Sequence, residues 1–155
     1  MSASDPFRRP TLGAAIIYKD PKAAIAWLEK AFGFKPAMLI SDKDGNLVHA
    51  EMRFGDGYIM LGSEWADFVA SPVSTGGKNT QMVHVHLSDS IDQHCERAKA
   101  GGATILQEPV DQFWGDRTYR AQDPEGHVWT FGQTVRRVSR EEAERATGLK
   151  IEGWH

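Results

Sequence analysis

Apolar positions along this chain recur at two periods, and each change of period marks the start of a new element. Short apolar runs open both halves, Leu12–Tyr18 in the first and Met82–Leu87 in the second. Each run leads into an acidic helix start. Asp20 stands where an N-cap is needed, and Pro21 follows at the first helical position, where a missing N–H costs nothing. Ile25, Leu28 and Phe32 then recur at the spacing of one helix face. In the second half Ser90 and Gln93 have the spacing of a capping box, and Ile91, Cys95 and Ala98 continue an apolar stripe. Gly33 and Gly101-Gly102 supply the stops, because glycine takes the left-handed turn that ends a helix.

After each helix the period becomes two. The first half reads as strands Pro36–Ile40, Leu47–Phe54 and Tyr58–Gly62, joined by turns at Asp42–Asn46 and Gly55-Asp56-Gly57. The second reads as Ala103–Gln107, a longer loop, Arg117–Gln122, a Pro124-Glu125-Gly126 turn and His127–Phe131. Asp20 and Asp89 stand 69 positions apart, as do Gly57 and Gly126. This repetition predicts an α+β fold of two βαβββ modules, residues 11–65 and 81–135, with a linker at 66–80 rich in Ser, Gly, Thr and Asn. A four-stranded mixed sheet with one helix leaves its second face bare, so two such sheets are expected to cup a shared cavity. Residues 136–155 add a C-terminal helix and tail. Ser139 and Glu142 form a capping box, Arg140–Thr147 the helix, and Trp154 is expected to dock on a neighbouring segment or a second subunit.

Composition narrows the function more than it defines it. The 155 residues suffice for one ordinary domain or two small ones, and 41% hydrophobic with 25% charged residues is a globular balance. Eighteen Lys and Arg against 21 Asp and Glu leave a net charge of −3. No basic excess exists to displace counterions, which argues against nucleic acid or an anionic membrane as main partner. The one cysteine, Cys95, excludes an internal disulfide framework and a cysteine-rich zinc site. Met1–Pro10 lacks the apolar core of a secretory signal, so a cytoplasmic location is the default expectation. Phosphate-cradling glycine loops, nucleophile elbows and His-Glu-x-x-His motifs are absent.

Three segments resemble a known family. They are the strand, Asp-Pro and helix opening at 16–34, His49-Ala-Glu-Met-Arg-Phe-Gly-Asp-Gly57, and Gly115-Asp-Arg-Thr-Tyr-Arg-Ala-Gln-Asp-Pro-Glu-Gly-His-Val-Trp129. Together they are similar to the vicinal oxygen chelate superfamily, in its glyoxalase/bleomycin-resistance branch, over 12–135. The resemblance implies paired βαβββ modules, a homodimer and a small-molecule cavity. It also implies a choice between metal-dependent lyases, epimerases or dioxygenases and metal-free proteins that sequester a drug. The family's metal ligands, typically His, Gln or Glu on the first and last strands of each module, fall on Gly13, Met60, Thr130 and either Val83 or, with one inserted residue, His84. At best one ligand remains, and one imidazole cannot hold a divalent ion against water. The expectation is therefore no metal cofactor.

Alternation gives a second route to the cavity. Val83, Val85 and Leu87 share one strand face, leaving His84 and His86 on the other. Likewise Val48, Ala50, Met52 and Phe54 share a face, leaving His49, Glu51 and Arg53 opposite. If both polar faces line the cup, the three histidines and Glu51 form a substitute site for a divalent metal ion, or supply a general base titrating near neutrality. The plainer alternative is a solvated strand face with a weak Glu51–Arg53 pair.

The segment Phe113–Tyr119 carries two large rings, a carboxylate, a guanidinium and a phenol. Trp114 suits stacking on a flat ligand, Arg117 suits a two-point grip on an anion, and Tyr119 completes the candidate lining. An Asp116–Arg117 pair that merely holds the loop is the competing reading. His94 and Cys95 read as packing residues, and His155 ends the chain. The function these features favour is a small-molecule binder with the candidate lining His49, Glu51, His84, His86, Trp114, Arg117 and Tyr119. The alternative is a metal enzyme of the glyoxalase kind.

Overall fold

The alternating segments of the first half resolve into one mixed sheet, with the helix packed on one of its faces. In the computed structural model residues 9–154 are described. His155, and all of Met1–Pro10 except its last two residues, lie outside the described residues. The chain divides into two compact units between Asn79 and Thr80.

The first unit runs β1 (Ala14–Ile17), α1 (Pro21–Phe32), β2 (Lys35–Ser41), β3 (Leu47–Phe54) and β4 (Gly57–Gly62), followed by a 3-10 turn at Pro72–Thr75. Its sheet order is β1-β4-β3-β2, with β1 parallel to β4 and the other pairs antiparallel. Asp20 caps α1 as its sequence suggests, its carboxylate accepting from the Ala23 N–H at 3.1 Å. Ile25, Leu28 and Phe32 of α1 are buried, as are Ile16, Ala50, Met52, Ile59 and Leu61 of the sheet. Each large apolar side chain removed from water here is worth about 2 kcal/mol. That burial, rather than helix propensity, holds a helix of 12 residues in place.

The second unit repeats the plan with β5 (Val83–His86), α2 (Ile91–Ala100), β6 (Thr104–Asp111), β7 (Asp116–Gln122) and β8 (Val128–Thr134), then adds α3 (Arg140–Thr147). The order β5-β8-β7-β6 reproduces the first sheet. Ala50 pairs with Leu61 in one unit, and Tyr119 with Phe131 in the other. The repeat offset is thus 69 on β3 and β7 and 70 on β4 and β8, one residue having been inserted in the β7–β8 turn.

Two local expectations are corrected. Ser90 does not cap α2: its backbone is left-handed, with φ of 61°, and its hydroxyl makes no capping bond. The side chain of Gln133 on β8 replaces it, accepting from the Ile91 N–H at 2.9 Å. The strand expected at Ala103–Gln107 extends as β6 to Asp111, through register shifts at Ile105/Gln107 and Gln107/Val110. Those irregularities break the period-two pattern and make the strand's second half read as loop. At α3 the reading holds, with the Ser139 hydroxyl accepting from Glu142 N–H at 3.1 Å and Gly148 closing the helix in the left-handed conformation.

Candidate ligand site

Which strand face is available follows from where each helix packs. On the second sheet the row Val85–Phe131–Tyr119 lies under α2. The His94 ring of α2 sits 4.5 Å from the Phe131 ring, and its Nδ1 is 2.5 Å from the Tyr119 hydroxyl. Alternation sends the next residues to the opposite face, as the rows His84–Thr130–Arg120–Gln107 and His86–Gly132–Thr118. These polar groups are already organised. Arg120 Nε donates to Thr130 Oγ1 at 3.2 Å, and the amides of Gln107 and Gln112 both donate to Thr118 Oγ1, at 3.3 and 2.9 Å. The His84 ring lies over Gly132, where an added Cβ would stand 2.9 Å from its Nε2.

At one end of this polar face a groove of about 1140 Å³ opens. Its sheet edge is the partnered pair Asp116 and Thr134, whose side chains are bonded at 2.9 Å. Its walls include His86, Phe113, Trp114, Arg137, Val138 and Trp154. The Gly115 carbonyl accepts from Val135 N–H at 2.9 Å and Arg136 N–H at 3.1 Å, which fixes the Trp114 loop against the segment following β8. Phe113 supports Trp114 edge-on, with ring centres 5.0 Å apart, and Trp114 keeps 39% of its surface exposed. Trp154 docks within the chain, its Nε1 donating to the Val138 carbonyl at 2.9 Å. Two half-open indoles therefore border a groove that continues into a polar sheet face.

The first unit gathers charge on the corresponding face of its own sheet. Glu51 is 8% exposed and accepts from Arg9 Nη1 at 2.9 Å, with His49 Nε2 at 3.3 Å from its other oxygen. Arg9 also lies over the Tyr58 ring, 5.4 Å from its centre. Burial raises the Glu51 pKa, but the hydrogen bonds and charges of Arg9 and His49 outweigh it, and the group sits below its ordinary 4.5. A carboxylate whose pKa falls on folding stabilises the protein above its unfolded-state value, and that contribution is lost as pH drops through the folded-state value. Glu51→Gln should accordingly lower the urea midpoint at pH 7, and the gap to the parent should close as pH falls below 4.5. A gap that stays constant across that range would mean the carboxylate carries no such pairing.

The structure separates several residues that sequence grouped. Arg117 and Tyr119 point to the helix side of β7, away from Trp114. Arg117 bonds Asp92 at 2.8 Å and Asp111 at 3.0 Å, which ties α2 to the end of β6. Tyr119 is fully buried, and that burial raises its phenol pKa well above the usual range. The Asp116–Arg117 pair is not formed, because adjacent strand residues face opposite ways. Glu51 pairs with Arg9 and His49 instead of Arg53. Val48 is 58% exposed, since β3 outruns β4 at that end and pairs there only with β2. His49 and Glu51 come together in the first unit, and His84 and His86 share a strand face in the second. Cys95 is buried, and that burial pushes its thiol up to about 11, as suits a packing residue. Sequence reading missed Arg9, Arg120 and Arg137. Arg120 was within reach, since it alternates with Thr118 and Gln122 opposite the apolar Tyr119 and Ala121.

A duplicated βαβββ unit, each four-stranded sheet packed against its own helix on one face, defines a protein of the two-module mixed-sheet class. The chain belongs to the Glyoxalase/Bleomycin resistance protein/Dioxygenase superfamily, whose model matches residues 12–131. It is 32% identical over 148 residues to the uncharacterized protein Rv0887c of Mycobacterium tuberculosis, covering 93% of this chain and 86% of the relative. Among solved structures it is similar to TioX from Micromonospora sp. ML1, at 33% identity and a TM-score of 0.66, over 80% of this chain and 98% of that one. The fold is also that of TnmS3, an antibiotic binding protein from Streptomyces sp. CB03234, at 17% identity and a TM-score of 0.61, over 83% of this chain and 98% of that one.

The register tests the metal positions that this family implies. His84 lies opposite Thr130 on β8, and the equivalent partner of Met60 is Ala15 rather than Gly13. Ala15 and Met60 offer no nitrogen or oxygen donor, and the Thr130 hydroxyl faces the permanently charged Arg120. Among the described residues no group of three or more His, Cys, Asp or Glu is placed to hold an ion. These residues do not fit a divalent cation. No helix among the described residues is long and apolar enough to cross a membrane.

Proposed function

We propose that this chain binds a flat, partly apolar small molecule in the Trp114–Trp154 groove, without a metal ion at the family's ligand positions. The observation that carries this reading is the groove itself, bounded by two indoles and continuous with a row of hydrogen-bonding side chains. Aromatic walls supply stacking area, and a few fixed polar groups set orientation, which is the usual division of labour in a ligand pocket. His86, which lines the groove, meets the ligand's polar edge from the sheet, and His84 continues the polar row beyond it. The homodimer expected from sequence belongs to the same reading. TnmS3, which shares the fold, is an antibiotic binding protein, and this agrees in kind.

A panel of planar aromatic compounds tested by thermal shift should include binders, since a ligand at about a hundred times its Kd adds about 2.7 kcal/mol of stability. Chelator should leave both the shift and the unliganded melting temperature unchanged. Trp114→Ala should abolish the ligand-induced shift while altering the unliganded melting temperature little, because the ring is half open to solvent. A large fall in unliganded stability would show instead that the ring is structural, and a chelator-sensitive shift would place a metal in the site.

A further inference from the structure

Where the family would receive a cation, the second sheet carries one of its own. On the uncovered face Arg120 stands between Thr130 and Gln107, and His84 lies beyond Thr130. The Thr130 hydroxyl holds the Arg120 Nε at 3.2 Å, and both Nη groups of this half-buried residue are without a partner among the described residues. No carboxylate shares its row or either neighbouring row. The row on one side is His86, Gly132, Thr118 and Val110, and on the other Thr104, Gln122 and Val128. On β6, Glu108 and Asp111 pair with Lys99 and Arg117 on the helix side. The nearest acid on this face of β7 is Asp116, about 13 Å along the strand and bonded to Thr134.

Two hydroxyl protons add to the guanidinium. Thr118 is buried, and its Oγ1 already accepts from two amides, so its proton is left to donate. Thr130 Oγ1, having accepted from Arg120, is in the same position. A guanidinium partly stripped of water costs free energy until a counter-charge meets it. A carboxylate meets it with two parallel, charge-assisted bonds.

We infer that Arg120 is the centre of a second site, on the open face of the sheet, that takes the carboxylate of a small ligand, with the Thr118 and Thr130 hydroxyls as further donors. The site lies two rows inward from the groove's Asp116–Thr134 edge, so it goes beyond the groove reading and does not depend on it.

Benzoate and benzamide share a ring and differ in charge. Each is titrated at constant ionic strength into the isotope-labelled full chain and followed by amide NMR. Benzoate should shift the backbone amides of Thr118, Arg120, Thr130 and Gly132 saturably, and bind about tenfold more tightly than benzamide. Arg120→Ala should remove about that tenfold, and Arg120→Lys should keep part of it, since the charge stays and the fork is lost. Arg97→Ala deletes the same charge from α2, on the covered side of the sheet, and should change neither titration. The absence of a saturable benzoate shift, equal binding of the two probes, or an equal loss with Arg97→Ala overturns the Arg120 site. So do benzoate shifts confined to the Trp114 and Trp154 indoles, which would leave the groove reading standing. The thermal-shift response of Trp114→Ala tests that reading separately. Melting curves of each variant establish that folded protein is being titrated, and the Lys variant reports on Arg120 even where the Ala variant is unstable.

Discussion

Asp123→Ala should be among the most destabilising single substitutions in this protein, costing about 4 kcal/mol. Asp123 is buried, and one carboxylate serves three donors. Its Oδ1 accepts from Glu125 N–H at 3.1 Å and His127 N–H at 3.0 Å, and its Oδ2 accepts from the Trp129 indole at 3.1 Å. The first two bonds shape the β7–β8 turn, while the third satisfies an N–H in the middle of the core. Deleting the carboxylate loses the two turn bonds at about 1 kcal/mol each and strands the indole donor at a further 1–3 kcal/mol. Asp123→Asn should cost less but not restore the parent, because an amide cannot accept at every one of these positions at once. Urea unfolding followed by circular dichroism measures both. Repeating Asp123→Ala in a Trp129→Phe background isolates the indole's share, since the stranded donor is then gone. If the alanine variant costs the same in both backgrounds, the indole bond contributes nothing to stability.

Gly115→Ala should be nearly as severe and should damage binding too. Gly115 has φ of 105°, which disfavours any side chain by about 1 kcal/mol. An added Cβ would also run into the Arg136 carbonyl oxygen and come within 3.3 Å of Val138 Cγ2. The obstacle is backbone, so relief requires the Trp114 loop and the post-β8 segment to part, breaking the bonds from Val135 and Arg136. A further 2–3 kcal/mol is a reasonable cost for that rearrangement. Gly148→Ala is the matched control: φ there is also positive, at 72°, but no atom lies within 4 Å. It should lose about 1 kcal/mol and keep ligand affinity. Equal melting temperatures for the two variants would show that the loop yields without strain and that Gly115 does not set the groove width.

Asp123 holds the turn that brings β8 back alongside β7, and β8 carries Thr130, Gly132 and Thr134 onto the uncovered face. Gly115 then lets the loop ahead of β7 meet the segment behind β8, and the groove forms where they meet. Affinity should therefore fall in Gly115→Ala even under conditions where the chain remains folded.

Much of this architecture was legible because its signals are local. A cap at Asp20, a stripe at Ile25, Leu28 and Phe32, and strict alternation along β3 and β7 each act within a few residues. The same alternation placed His84 and His86 on the face away from α2. It fails where register shifts, as in the second half of β6, and where a strand outruns its partners, as at Val48. Proximity in sequence groups Arg117 and Tyr119 with Trp114, but it does not measure proximity in space. On a strand, neighbours in sequence are the residues that face apart.

From its sequence alone this protein is two βαβββ repeats with a capped C-terminal helix, since hydrophobic period, caps and turn glycines specify elements without reference to distant residues. The tertiary structure alone decided that Arg9 reaches Glu51 across 42 positions, that Trp154 folds back onto Val138, and that Trp114 and Trp154 border one groove. Those outcomes depend on strand register and on which loops come to lie side by side. Such pairings arise from burial and hydrogen bonding summed over the whole unit, and no short window of residues contains them.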